Sequence, residues 1–215
     1  ERFGQWATIY EGLSQLPEKA QKSWFEFDHF YSDIAFPNVL PLVFKSNPRH
    51  IVDVGGNTGK WAKCCLEYNE QVRVTVVDLP VQLDKATALL NDAGFGGRFS
   101  TQAINLLTEG GGFPEQADVI WMSQFLDCFS DAQIASILRR ACSGMGAESS
   151  LYILETFWDN QQFAASSFSL VNTSLYFTCI ANGNSKMYHS NELKSCAEQA
   201  GLSLQEQTDD IGIGH

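Results

Sequence analysis

"IVDVGGNTGKW", residues 51–61, reads as a β-strand running into a glycine turn and then a helix. Three nucleotide-binding loops share that outline. An ATP-phosphate loop needs GxxxxGK followed by Ser or Thr, so that a hydroxyl can hold magnesium. Here Trp61 follows Gly59-Lys60, and Val54 stands where the first glycine belongs. A dinucleotide loop needs GxGxxG, and Gly55, Gly56 and Gly59 give only GGxxG. The third pattern is an acid followed by glycines at two-residue steps, DxGxGxG, which holds S-adenosylmethionine. Asp53, Gly55, Asn57 and Gly59 match it with Asn in the middle place. Asn tolerates a left-handed backbone better than most residues with a side chain. Such a loop lets the backbone approach a ribose and an amino-acid tail, while Asp53 offers a charge to the ammonium.

A second acid, Asp78, closes the apolar run "VRVTVVD", 25 positions beyond Asp53. In a doubly wound sheet that places it beside the first loop at the carboxyl edge, where ligands lie. Its two oxygens can accept both ribose hydroxyls. The ordinary role of an Asp at a strand end is a turn or cap, and its pairing with the loop favours ribose binding.

Outward from these stretches, strand and helix alternate. "HIVDV", "VRVTVVD", "RFSTQAI", "DVIWMS", "SLYILE" and a final "LSLQEQ" read as strands. The helices between them include one capped by Ser130 and one running from residue 164 to 181. This alternation implies a Rossmann-like, doubly wound, mostly parallel α/β sheet flanked by helices. Residues 1–46 read as an aromatic-rich helical segment, with Trp6, Ile9, Tyr10, Leu13 and Leu16 on an exposed apolar stripe and a new helix entered at Pro37. The expected division is a helical linker, 1–46, and a ligand-binding domain, 47–215.

The 215 residues carry 14 Lys plus Arg against 25 Asp plus Glu, a formal charge of −11. That balance opposes binding to a phosphate backbone. The six cysteines have no CxxC or zinc spacing, so no metal site is expected and a reducing, cytoplasmic setting is. No apolar run of about 18 residues suggests a membrane span.

Together "VDVGGNTG", "VVDLP", "DVIWMSQFLDCFSDAQIASILRR", "LYILE" and "NELKSCAEQAGLSL", in that order, resemble the class I O-methyltransferases of the caffeate and acetylserotonin type and their bacterial relatives. The resemblance runs from about Trp6 to the C-terminus. It implies S-adenosylmethionine as cofactor, a small hydroxylated acceptor, a homodimer, a dimerisation domain of which residues 1–46 are the remnant, and a last strand at or beyond His215. It implies cofactor contacts at Asp53, Gly55, Gly56, Asn57, Gly59, Asp78, Leu79 and Ser123. Asn105 stands at the family's adenine-contacting Asp, where an amide oxygen can still accept from an amine. Phe30, Phe36, Met122, Gln124, Phe125, Thr178 and Asn182 fall in the acceptor region.

At the catalytic position the chain departs from the family. The family's "LHDW" supplies a histidine base, and this chain has "LDCF", placing Asp127 at the histidine, Cys128 at the Asp and Phe129 at the Trp. Glu155 matches the glutamate that orients the base. A second family glutamate falls near Met187, and His189, two positions on, is either its substitute or a helix cap. Three roles stay open for Asp127: a base, an orienting group for an acceptor that is already acidic, or part of a silent site that binds nucleotide without transfer. An NAD oxidoreductase remains a further alternative on the shared fold.

Overall fold

The computed structural model describes residues 9–108, 112–181 and 183–212, apart from the side chains of 11, 14, 25 and 27–31. Trp6, the side chain of Phe30, and Asn182 lie outside the described residues.

Five strands, β1 (His50–Val54), β2 (Arg73–Asp78), β3 (Phe99–Ala103), β4 (Ala117–Ser123) and β5 (Met145–Leu154), form one sheet of order β3-β2-β1-β4-β5. All four pairings are parallel. The central strands are apolar on both faces because helices cover both. Ile51, Val74, Val119 and Trp121 face a core completed by α2 (Glu18–Val43), α3 (Lys60–Tyr68) and α4 (Pro80–Asp92). Val52, Val54, Ile120 and Met122 alternate to the opposite face, under α5 (Asp131–Cys142) and α7 (Ser190–Gln199). The strand order reverses between β1 and β4, and in such sheets the crevice at that switch point takes the ligand.

Expectations for the two ends of the chain need correction. Pro37 does not begin a helix; α2 runs through both Pro37 and Pro41. The lost amide donors are tolerated because Ala35, Phe36, Val39, Leu40 and Val43 are buried in the core of the sheet. "LSLQEQ" is not a strand, since it pairs with none of the described strands and leaves Leu204 62% exposed. The apolar stripe around α1 (Ile9–Gly12) is not exposed either. Ile9 and Leu13 pack with Phe177, Ala181 and Met187 into a third cluster.

The helix after β5 has two parts. α6 (Ala164–Tyr176) is followed without a break by a π-helical turn, Phe177–Ala181. A π-turn adds a residue to the helical circuit and so rotates the side chains that follow.

Candidate active site

The first wall of the crevice is the turn after β1. Gly55, Asn57 and Gly59 all have positive φ, at 69°, 49° and 80°. Asn57 thus occupies the left-handed region that its amide tolerates. A Cβ on Gly55 would lie 2.2 Å from the Phe125 ring, and one on Gly56 would lie 2.6 Å from Val76 and 2.7 Å from Asp53 Oδ2. The turn therefore brings bare backbone to the crevice. Gly59 serves packing instead. It does not line the crevice, and its missing side chain lets Ala86 of α4 approach to within 3.0 Å of where a Cβ would stand.

Two carboxylates flank this turn. Asp78 Oδ2 accepts from Asn57 N at 2.8 Å and Oδ1 from Leu79 N at 2.7 Å. A carboxylate has about four acceptor positions, so each oxygen keeps one for a ribose hydroxyl. Burial raises Asp78 to about 6, against the opposing pull of those two amides. Asp53 is 2% exposed and is pushed up to about 8, first by burial and then by the charge of Asp78. It accepts from the Ala62 amide in the first turn of α3, a cap supplied from the strand because Gly59 has no side chain to give. Its Oδ2 is buried with no partner among the described residues.

These residues fit S-adenosylmethionine. The turn is shaped for close backbone approach, Asp78 retains free acceptor positions, and two buried acids that resist ionising are stabilised by a neighbouring cation. Leu79, Asn105 and Ser123 also line the crevice. Asn105 Oδ1 already accepts from Leu107 N at 2.9 Å, leaving one lone pair for an amine.

The crevice continues past this wall as one cavity of about 880 Å³. Its second half is aromatic, lined by Tyr10, Trp24, Phe36, Phe125, Phe129, Tyr176 and Phe177, with Gln124 and Asp127 among them. Trp61 and Trp121 stack at 3.9 Å beneath Phe36, which meets Trp61 edge-on at 5.0 Å.

Asp127 lies in the 3₁₀ turn Leu126–Cys128 after β4. That turn is held by Glu155, whose Oε1 accepts from Phe125 N at 2.9 Å and Leu126 N at 2.7 Å. Glu155 is 5% exposed and does not line the crevice. Burial and then the charge of Asp127 raise its pKa, while the turn's amides oppose the rise. Its contact is with the backbone that carries Asp127. Gln124 enters the turn with φ 47°, a left-handed conformation outside glycine that costs of order 1–3 kcal/mol.

Other expected contacts fall elsewhere. Met122 is fully buried on the far face of the sheet. Thr178 is exposed and off the crevice wall. Leu170, Thr173, Tyr176 and Phe177 line the crevice at helical spacing, and Thr178, one residue into the π-turn, points away from that face. Met187 lines the cavity but packs in the apolar cluster around Ile9 and Leu13. His189 is a cap: its Nδ1 accepts from Asn191 N at 3.1 Å at the start of α7. Tyr10, Trp24 and Tyr176 join the site from positions that their sequence context marks only as core, and Cys128 from the motif position beside Asp127.

A parallel sheet of this order, with a glycine turn and a strand-end carboxylate at its switch point, defines an α/β methyltransferase fold. The chain belongs to the O-methyltransferase domain family, whose model matches residues 17–203. Among solved structures it resembles NcsB1, an O-methyltransferase from neocarzinostatin biosynthesis in complex with S-adenosyl-L-homocysteine and 1,4-dihydroxy-2-naphthoic acid. That match has 21% identity and a TM-score of 0.77, covering 95% of this chain and 58% of that one. The mitomycin 7-O-methyltransferase MmcR matches at 19% identity and a TM-score of 0.74, over 95% and 58%. An O-methyltransferase family 2 protein from Planctomyces limnophilus, in complex with apigenin, matches at 23% and 0.65, over 78% and 50%. At these identities the likeness is one of fold, and the chain spans between half and three fifths of each of those proteins.

Proposed function

We propose that the protein is an S-adenosylmethionine-dependent O-methyltransferase acting on a small, flat, hydroxylated acceptor. One observation carries this reading: the glycine turn and Asp78 open directly into an aromatic chamber that holds a carboxylate, Asp127, inside the same cavity. Bound there, S-adenosylmethionine supplies an activated methyl group on a good leaving group. The chain's own residues do the rest. Asp78 fixes the ribose, and Gly55 and Gly56 admit the amino-acid tail beside Asp53. The aromatic walls would hold a flat acceptor with its hydroxyl turned toward the cofactor's side of the cavity, and such positioning supplies much of the acceleration in transfers of this kind. Asp127 takes the hydroxyl proton as the oxygen–carbon bond forms, a contribution of roughly 10²–10⁴-fold.

The dihydroxynaphthoic acid and apigenin of two structural neighbours are the first acceptors to assay. Calorimetry should find binding of S-adenosylhomocysteine and S-adenosylmethionine and none of NAD. Binding of NAD alone would end this reading. Tight S-adenosylhomocysteine binding without turnover on any phenolic or hydroxy-acid acceptor would favour a silent nucleotide-binding homologue.

The proposal includes a homodimer with residues 1–46 as the tail of a dimerisation segment, in support of which α6 leaves Phe168, Val171 and Leu175 exposed. A cytoplasmic setting is supported by six cysteines, none of which is joined in a disulfide. Among the described residues no helix is long and apolar enough to cross a membrane, and no three His, Cys, Asp or Glu side chains are grouped to hold a metal.

A further inference from the structure

The cavity wall beside the glycine turn carries both signs of charge. Among the described residues that line the cavity, the acids are Asp53, Asp78 and Asp127, and the one cation is Lys60. Lys60 is the first residue of α3 and follows Gly59 directly, so it closes the same turn that Asp53 opens. Its Nζ donates to Asp33 Oδ1 at 2.8 Å and to Oδ2 at 2.9 Å, which ties the turn to α2. The Lys60 side chain is 35% exposed and that of Asp33 55%, so the pair stands at the rim of the cavity, partly in water.

An amino-acid tail makes a specific demand on this wall. It carries an ammonium and a carboxylate on one carbon, so the groups that receive them must lie within one short span. Asp53 suits the ammonium, because its Oδ2 is buried beside Gly56 with no partner among the described residues. The carboxylate meets repulsion from Asp53 and Asp78 unless a cation stands with them. A lysine ammonium has three donors. Asp33 takes two of those on Lys60 and leaves a third, so a second carboxylate can share the ammonium without displacing the first. The positive end of the α3 dipole lies at the same turn and adds to the attraction.

We propose that Lys60 receives the carboxylate of the cofactor's amino-acid tail, and that through it the site selects S-adenosylmethionine and S-adenosylhomocysteine over adenosine thioethers that lack this group. The inference rests on the methyl-transfer reading, which supplies the cofactor. It deepens that reading by dividing the tail between two residues, Asp53 for the ammonium and Lys60 for the carboxylate. Asp33 is the counter-ion that keeps Nζ at the rim, between α2 and the turn. The Gly59-Lys60 pair, which fails as part of an ATP-phosphate loop, thus still serves an anion, a carboxylate in place of a phosphate.

Calorimetry on the full chain tests this with two probes: S-adenosylhomocysteine and its decarboxylated analogue, an aminopropyl thioether of adenosine that keeps the amine. Lys60→Met retains an unbranched, helix-compatible side chain and removes the charge. It should weaken S-adenosylhomocysteine by about 10–30-fold, the scale of a hydrogen bond between charged groups. The decarboxylated probe should stay within about twofold, and Lys60→Arg should bring S-adenosylhomocysteine back to within about threefold of the wild type. Asp33→Asn breaks the tie to α2 while keeping Lys60, and should alter S-adenosylhomocysteine affinity by no more than about fivefold, the limit for an exposed ion pair. An unchanged S-adenosylhomocysteine affinity in Lys60→Met overturns the proposal. So does an equal loss for both probes, or the same loss in Asp33→Asn, since either makes Lys60 a brace for α2 and not a receptor for the carboxylate. If circular dichroism shows Lys60→Met unfolded, the same comparison in Lys60→Gln decides. A wild-type chain that binds neither probe ends the cofactor reading and this inference with it, whereas binding without the Lys60 signature ends the inference alone.

Discussion

On the β1–β2 side of the crevice, the wall is made by Asp53, residues 55–58 and 78–79, turns that present backbone to the crevice. On the opposite side, the wall is made by Tyr10, Trp24, Phe36, Asp127, Tyr176 and Met187, side chains from helices and loops far apart in the chain. The first wall can hardly vary, because a single added methyl group meets Asp53, Val76 or Phe125. The second is a set of separate side chains, each replaceable without altering a backbone path. Under the proposed function the first wall is a fixed nucleotide site and the second an adjustable acceptor chamber, an arrangement that lets one fold serve many acceptors.

The sharpest way to break this division is at Asp127. Asp127→Asn keeps the shape of the chamber and removes the base, so kcat should fall by about 10²–10⁴-fold. The S-adenosylhomocysteine dissociation constant, measured by calorimetry, should stay within about twofold. An equal loss of both would mean that the two walls are not independent. Gly55 is where they touch, through Phe125. Gly55→Ala forces a left-handed Ala and a clash with that ring, together costing about 2–4 kcal/mol. S-adenosylhomocysteine affinity should drop about 100-fold and acceptor KM should rise with it, a joint loss that Asp127→Asn does not produce.

Asp78→Asn should act on one wall only. Replacing one acceptor oxygen with an NH₂ leaves a backbone amide and a ribose hydroxyl facing a donor, about tenfold in affinity. The same carboxylates set a pH dependence. Asp78 and Asp53 stand at about 6 and about 8 in the fold, above the ordinary range near 4. Raised acids favour the ligand-free fold below about pH 4, and that contribution is lost as pH rises through 6 and then 8. A cationic ligand favours their ionised forms, so S-adenosylmethionine affinity should increase between pH 6 and 8 with release of protons. Calorimetry in buffers of different ionisation enthalpy checks this, and Asp78→Asn should remove the lower step.

The contrast also explains what the residues alone disclose. The glycine turn and Asp78 are local, placed by strand periodicity and a few spacings within one βαβ unit, and the alternation of strand and helix gives the sheet. Thr178 is placed by the resemblance to the family, whereas this chain's own helix turns Leu170, Thr173 and Tyr176 to the crevice, and Pro37 starts no helix because core burial overrides a helix breaker. "LSLQEQ" alternates like a strand, but a strand exists only with a partner ladder. Asp127 is legible from its neighbours in the chain, whereas Tyr10, Trp24 and Tyr176 reach it only through tertiary packing, and no short-range pattern separates them from core aromatics.

The smallest expected effect compares two faces of the helical run after β5. Thr173 lines the crevice and Thr178 is exposed off it, five residues along the same helical run. Thr173→Ala removes a methyl and a hydroxyl from the acceptor wall, where a lost methylene is worth about 1 kcal/mol. Acceptor KM should change by about fivefold, with kcat and S-adenosylhomocysteine affinity nearly unmoved. Thr178→Ala should leave all three within measurement error, since an exposed substitution away from special features shifts energies by no more than about 0.5 kcal/mol. If Thr178→Ala instead altered KM and Thr173→Ala did not, the acceptor would lie on a different face of this helical run from the one Leu170, Thr173 and Tyr176 present to the crevice. Such a result would move the acceptor away from Tyr176 and from the carboxylate of Asp127 that shares its cavity.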